Sequence, residues 1–208
     1  MLTSNLIRWG AIAAIIGGAV SIVAGGILST PAFSGEDPSW YAQNPLWYLV
    51  EFAGKVALLV GLVGLYLYQR QSPRFGWLGT VGFYLLIVIT SFEVILALTA
   101  LTPGSAAESV DGYLGPPKEL VKILGILLFG TAILRAGTLP RAGAWLMIFA
   151  VLVALVSIGS FIVGPEAFAD WSFPVAAALY GLAFMTLGYG LWSHRNEPVQ
   201  PARPARVS

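Results

Sequence analysis

The six long apolar runs of this chain are separated by segments that alternate in charge sign, and no other feature limits its fold as strongly. One set of segments carries Arg8, then Arg70 and Arg74, then Arg135 and Arg141, then Arg195, Arg203 and Arg206. The segments between them carry Glu36 and Asp37, then Glu108 and Asp111, then Glu166 and Asp170, and no arginine. Arginine held to one side is the positive-inside signature of helices that cross a membrane. Lys118 and Lys122 break the pattern, and both lie beside Glu119. The expected architecture is all-α: a polytopic transmembrane six-helix bundle with both termini in the cytoplasm.

Composition agrees. Of 208 residues, 57% are hydrophobic and 10% charged, against about 25% charged in a typical soluble domain. Six spans of about 20 residues nearly use up the length. Residues 1–197 are therefore read as one transmembrane domain. Residues 198–208, with Pro198, Pro201 and Pro204, are read as a disordered cytoplasmic tail. The uncharged stretch 9–28 counts 20 residues, longer than the apolar core of about 7–15 in a signal peptide. Ala32-Phe33-Ser34 is only weakly cleavage-like, so a retained first helix is expected. A net charge of +1 provides no field to recruit nucleic acid. The expected partner is the lipid bilayer, with a bound lipid or other membrane subunits as further candidates.

Catalytic groups are scarce. The absence of cysteine excludes disulfides, iron–sulfur ligation and thiol catalysis. The single histidine, His194, stands next to Arg195 at the arginine end of the last run, where an interfacial role is expected. One histidine makes a metal site improbable, and no Ser-His-Asp set or glycine-rich phosphate loop is present. No cofactor and no enzymatic activity are expected.

The apolar runs place helices at about 5–29, 45–69, 75–101, 117–136, 141–163 and 171–193, because backbone polar groups in lipid have to be paired within the segment. Trp40, Tyr41, Trp47, Tyr48 and Trp171 fall at one interface and Trp9, Tyr68, Trp77, Trp145 and Trp192 at the other, as aromatic belts should. Small residues line one face of several helices: Gly10, Ala14, Gly17, Ser21 and Ala24 in the first, Gly79, Gly82, Thr90, Ala97 and Ala100 in the third, Ala177, Gly181 and Gly188 in the sixth. Such faces let helices pack closely where no hydrophobic driving force separates helix from lipid. Pro174 is read as lying at the entry of the sixth helix, where proline does no harm. A parallel repeat of two-helix hairpins is also indicated: Lys55 with Pro73, Arg74 and Gly76 recurs 67 residues later as Lys122 with Pro140, Arg141 and Gly143.

The candidate site is a set of five ionisable residues within or near the apolar runs: Glu51, Lys55, Glu93, Glu119 and Lys122. From the helix rise, Lys55 lies roughly 13–15 Å and Glu93 about 12 Å below the acidic side, so the two are expected to meet. Glu51 precedes Lys55 by four residues, the favourable order for a helical pair. The cost of isolated charge in the membrane draws all five together; the alternative for Glu119 and Lys122, which are shallower, is to reach the interface and join nothing. Three acids against two bases leave one carboxylate without a full partner, and Glu93, the deepest, is the candidate to be protonated at neutral pH. Such a cluster is read in two ways, as a polar binding pocket or proton path, or as an ion-pair network that fixes helix register.

Three stretches, Gly61-Leu62-Val63-Gly64-Leu65-Tyr66, Leu134-Arg135-Ala136-Gly137-Thr138-Leu139-Pro140-Arg141-Ala142-Gly143 and Leu187-Gly188-Tyr189-Gly190-Leu191-Trp192-Ser193, together resemble a broad group of uncharacterised six-helix bacterial integral membrane proteins. The resemblance covers helices 2 to 6. It implies that architecture and a bacterial inner membrane, and carries no assigned activity. Members often have a histidine near the outer start of helix 2; this chain has Glu51 in that region and no histidine. From the whole, the sequence is read as a non-catalytic membrane module that binds a lipid, a small molecule or a partner. The alternative is a small proton- or cation-coupled transporter using Glu51, Lys55 and Glu93.

Overall fold

A computed structural model describes residues 2–27, 45–102, 107–163 and 166–193. They form six helices: α1 (Leu2–Ser21), running on through a π-helical segment (Ile22–Ile27), α2 (Pro45–Gln69), α3 (Gly76–Ala100), α4 (Ala107–Ala136), α5 (Arg141–Val163) and α6 (Glu166–Ser193). No strand occurs among the described residues. Five of the six are long and apolar enough to cross a membrane. The exception, α4, is also long, at 30 residues. It carries Lys118, Glu119 and Lys122 within its length, which lowers its apolar character. The tail 198–208, His194, Trp40, Tyr41 and Ala32-Phe33-Ser34 lie outside the described residues.

Each helix packs on its neighbours in sequence, and α1 closes the ring against α6. The pairs are antiparallel. Along α1, Gly10, Ala14 and Gly17 meet Gly64, Gly61 and Leu58 of α2 in reverse order, and Gly82 of α3 lies against Phe129 of α4. The small-residue faces make this possible. A methyl group on Gly10 would come within 2.5 Å of the Gly64 Cα, and one on Gly18 within 2.5 Å of the Gly181 carbonyl oxygen. Backbones in such contact gain dispersion energy that larger side chains would forfeit.

Two helix starts differ from the sequence reading. α4 begins ten residues before the expected 117 and α6 five before the expected 171. Apolarity marks the part of a helix that hydrocarbon would cover, whereas the hydrogen-bond ladder runs on into charged residues. Pro174 therefore lies inside α6, eight residues from its start, and not at its entry. Its missing N–H leaves one intrahelical bond unmade. Tyr68 also departs from expectation: it is buried in the core, while Trp9, Trp77, Trp145 and Trp171 are exposed as belt residues should be. Trp192 is partly buried and lies under the Arg8 guanidinium, 5.8 Å away.

The two short turns at the arginine end are built differently. After α2 the chain makes a succession of tight turns through Ser72 and Phe75, and Gly76 takes φ +60° as α3 begins. After α4, Gly137 takes φ +64° and its N–H bonds back to the Ile133 carbonyl, 3.0 Å. That is a glycine C-cap. The 67-residue offset relates the ends of α2 and α4, Gln69 and Ala136, but not the left-handed glycines that follow them. The turns are joined by Thr138, whose hydroxyl donates to the fully buried Gln69 Oε1 at 2.6 Å. Thr138→Val is expected to lower stability by about 1–3 kcal/mol, since it strands a buried acceptor. A melting point unchanged from that of the native chain would count against this contact.

The large, fully buried side chains, Phe129, Phe184, Leu65, Ile133, Met147 and Leu187 among them, lie in the arginine half or at mid-bundle. Phe75 sets its ring edge-on to Phe129 at 5.8 Å. The acidic half is filled differently, and the five ionisable residues of the candidate site lie there.

Candidate functional site

Lys55 and Lys122 occupy equal heights, each fourteen residues from the arginine end of its helix, or about 21 Å at the α-helical rise. Glu93 lies seventeen residues from the start of α3, about 4–5 Å higher. Side chains tilt toward the N-terminus of their own helix. Those of α2 and α4 consequently lean toward the acidic end and that of α3 leans back, so the three charged groups converge on one level.

The carboxylate of Glu93 lies between the two ammonium groups. Its Oε1 accepts from Lys122 Nζ at 2.8 Å and its Oε2 is 3.5 Å from Lys55 Nζ. Lys55 also pairs with Glu51 at 3.0 Å, and Lys122 with Glu119 at 3.9 Å. The result is an alternating chain, Glu51–Lys55–Glu93–Lys122–Glu119, drawn from α2, α3 and α4. Exposure is graded along it. The Glu93 side chain is 9% exposed, while those of Glu51 and Glu119 at the two ends are 34% and 32% exposed. The node is buried and its ends are reachable.

All five sequence-predicted residues thus come together; of the two courses open to the pair on α4 it takes the one into the cluster, and one expectation, about Glu93, is corrected. The pair on α4 does not stand apart at the interface, because the α4 axis passes beside α3 and points Lys122 at Glu93 across one short contact. Nor is Glu93 the carboxylate left over: it holds two lysines, the most of the three acids in these pairs. Lys118, one turn before Lys122, adds a further positive charge near Glu93.

Sequence reasoning missed Tyr180. It lies on α6, its ring centroid 6.0 Å from Lys122 Nζ and 4.9 Å from the ring of Phe184. An ammonium group over a tyrosine face is attracted by the ring quadrupole. Tyr180 therefore brings a fourth helix to the node. Nothing in its local sequence, Ala-Leu-Tyr-Gly-Leu, separates it from a packing tyrosine. The signal is its position one turn and a half after Pro174, visible only once α6 is placed opposite α4.

The arrangement can fix four helices in register, and it presents two partly exposed carboxylates to the acidic end. Among the described residues no three His, Cys, Asp or Glu side chains are placed to hold a metal ion. No family model, no curated protein and no solved structure matches the chain.

Proposed function

We propose that this chain is a multi-pass protein of a bacterial inner membrane, with both termini in the cytoplasm, that serves as a non-catalytic binding module. On this reading the arginine end faces the cytoplasm and the site opens to the opposite side. The bound species is a small polar or amphiphilic molecule, a lipid included, or a neighbouring membrane subunit. One observation carries the reading: the ionisable chain occupies the half of the bundle where, among the described residues, no large side chain is fully buried, and its terminal carboxylates Glu51 and Glu119 stay about one-third exposed. Ionisable groups at such depth are costly and ordinarily mark a site of action. Co-purified small molecules, identified by native mass spectrometry of the protein extracted in mild detergent, test it. A species lost from Glu51→Gln and Glu119→Gln but kept by the native chain supports binding; a native chain free of any adduct counts against it.

A second reading, a small proton- or cation-coupled carrier, gains from one feature. Transporter sites are commonly bordered by interrupted helices, and here α1 ends in a π-helical segment and α6 contains Pro174. The sharing of Glu93 by two lysines weighs against it, because a proton carrier needs an acid free to change state. Proton flux into liposomes that stops with Glu93→Gln would favour the carrier.

The orientation has its own expected result. A reporter active only in the cytoplasm, fused after Ser208, should be active, and one active only outside should be silent.

A further inference from the structure

We infer that α3 and α4 move as one rigid hairpin, pivoting on the two arginine-end turns, and that this hairpin is a gate which divides the charged node between Lys55 and Glu93. The gate serves a bound ligand and a carried proton alike.

The division is drawn by how the helices touch. Glycine faces lock α1 to α2, where Gly54 meets Val20 and Gly61 meets the Ala14 backbone, and α1 to α6, where Gly18 meets the Gly181 carbonyl and Gly25 the Ala177 Cβ. Gly143 holds α5 against Leu187 and the Ala183 carbonyl of α6. These four helices form one body. α3 and α4 form a second: a methyl group on Gly82 would come within 2.5 Å of the Phe129 nitrogen and 3.0 Å of the Gly125 carbonyl oxygen. Among the described glycines none makes so close an approach between α2 and α3 or between α4 and α5, where Gly130 has an ordinary contact of 3.5 Å with the Ala144 carbonyl oxygen. Interlocked backbones cannot part without unpacking, whereas packed side chains can slide or separate.

Chain connectivity puts the pivot at one end. The chain enters the hairpin from α2 through residues 70–75 and leaves it for α5 through residues 137–140, both at the arginine end. Each link carries a glycine at positive φ, Gly76 or Gly137, and links of a few residues absorb the dihedral change of a rigid-body rotation. The Thr138–Gln69 hydrogen bond joins the α5 side of one link to the end of α2, so the two pivots keep their spacing while the hairpin moves. Displacement grows with height. The rings of Tyr66 and Phe83, stacked at 3.9 Å across the α2–α3 seam, stand about 10 Å above Gly76, and Glu93 stands about 26 Å above it.

Two contacts of the node cross between the bodies: Lys55 to Glu93 at 3.5 Å, and Lys122 to the Tyr180 ring at 6.0 Å. The two shortest stay within them, Lys55–Glu51 at 3.0 Å in the four-helix body and Lys122–Glu93 at 2.8 Å in the hairpin. When the hairpin swings out, each lysine therefore keeps a carboxylate. The large penalty of a lone buried charge is not incurred; one longer ion pair and one ring contact are given up. Opening exposes the facing sides of Lys55 and Glu93.

Distances between pairs of nitroxide labels, measured by double electron–electron resonance on the full-length protein in lipid nanodiscs, test the gate. The chain has no cysteine, so introduced ones alone are labelled. The sites are exposed residues: Val50 on α2, Ile95 on α3, Leu120 on α4 and Val175 on α6. The pair 95–175, across the two bodies, should show a main distance and a minor, longer one. The pairs 95–120, within the hairpin, and 50–175, within the four-helix body, should each show a single distance. Tyr180→Leu and Lys55→Met should each raise the longer fraction at least threefold, while Tyr180→Phe, which keeps a ring over Lys122, should leave it unchanged. Glu51→Gln added to Tyr180→Leu should reverse the gain, because Lys55 then has no carboxylate to keep on opening. One distance for the pair 95–175 in the native chain and in both opening variants would overturn the gate. Equal spread in a pair within either body would overturn the division, and a gain that survives Glu51→Gln would overturn the part given to Lys55.

Discussion

Glu93→Gln is expected to destabilise the protein more than any other single change in the charged chain, by about 3–5 kcal/mol, because it leaves two partly buried ammonium groups without their shared carboxylate. Lys122→Met should cost less, since Glu93 keeps Lys55, and Lys55→Met less again, since the 2.8 Å contact to Lys122 survives. The double variants separate a shared centre from a simple pair. Glu93→Gln with Lys122→Met leaves Lys55 beside Glu51, 3.0 Å away, and should recover more than half of the loss. Glu93→Gln with Lys55→Met leaves Lys122 with only the 3.9 Å contact to Glu119 and should recover little. Melting curves in one detergent rank all five variants. Recovery by the Lys55 double and not by the Lys122 double would invert the assignment of the dominant partner.

The second large effect belongs to the glycine seam. Gly64→Leu is expected to prevent α1 from seating on α2. A Cβ at position 64 would lie 2.6 Å from the Gly10 Cα, and backbone atoms cannot rotate aside as a side chain can. Overpacking of this kind costs roughly 1–3 kcal/mol or more where the clash is with a rigid neighbour. Gly159→Leu, at a position whose Cβ would meet nothing within 4 Å, is the control and should be close to neutral. Yield of monodisperse protein and melting temperature both report the contrast. Equal tolerance at the two glycines would mean that α1 and α2 are not packed backbone to backbone.

The membrane architecture was legible because it is written in quantities that do not depend on tertiary contacts. Alternating arginine and acid, apolar runs of spanning length and small residues at helical spacing located all six helices. The ends of α2 and α5 fell where the apolar runs end. The early starts of α4 and α6 were hidden because hydropathy reports the hydrocarbon-covered part of a helix, and their first turns carry Glu108, Asp111, Glu166 and Asp170. That error also concealed Pro174 as an interruption.

At the site, depth along each helix was enough to bring Lys55 to Glu93, since both positions follow from a rise per residue. Depth alone does not say which way a helix faces. Whether Lys122 joins the cluster or reaches the interface consequently stayed open, and the carboxylate lacking a full partner was taken to be Glu93, which instead holds two lysines. Tyr180 was invisible for a related reason: its partner lies on α4, and only the ring order of the bundle sets α6 against it. The 67-residue offset places Lys55 and Lys122 at equal distances from the ends of α2 and α4. It does not extend to the turns, where Gly76 and Gly137 take the left-handed conformation at positions the offset does not relate.

At the centre of the site a single carboxylate is shared by two lysines from different helices. Solid-state NMR of the protein in lipid bilayers, with 15N at the lysine Nζ and 13C at the glutamate carboxylates, measures that sharing as dipolar couplings. Assignment follows from Lys55→Arg and Lys122→Arg, each of which removes one lysine resonance. The expected result is that the Glu93 carboxylate couples to both Lys122 and Lys55, the former more strongly, in keeping with contacts of 2.8 and 3.5 Å. Coupling of Glu93 to neither lysine, or to one of them alone, would contradict it.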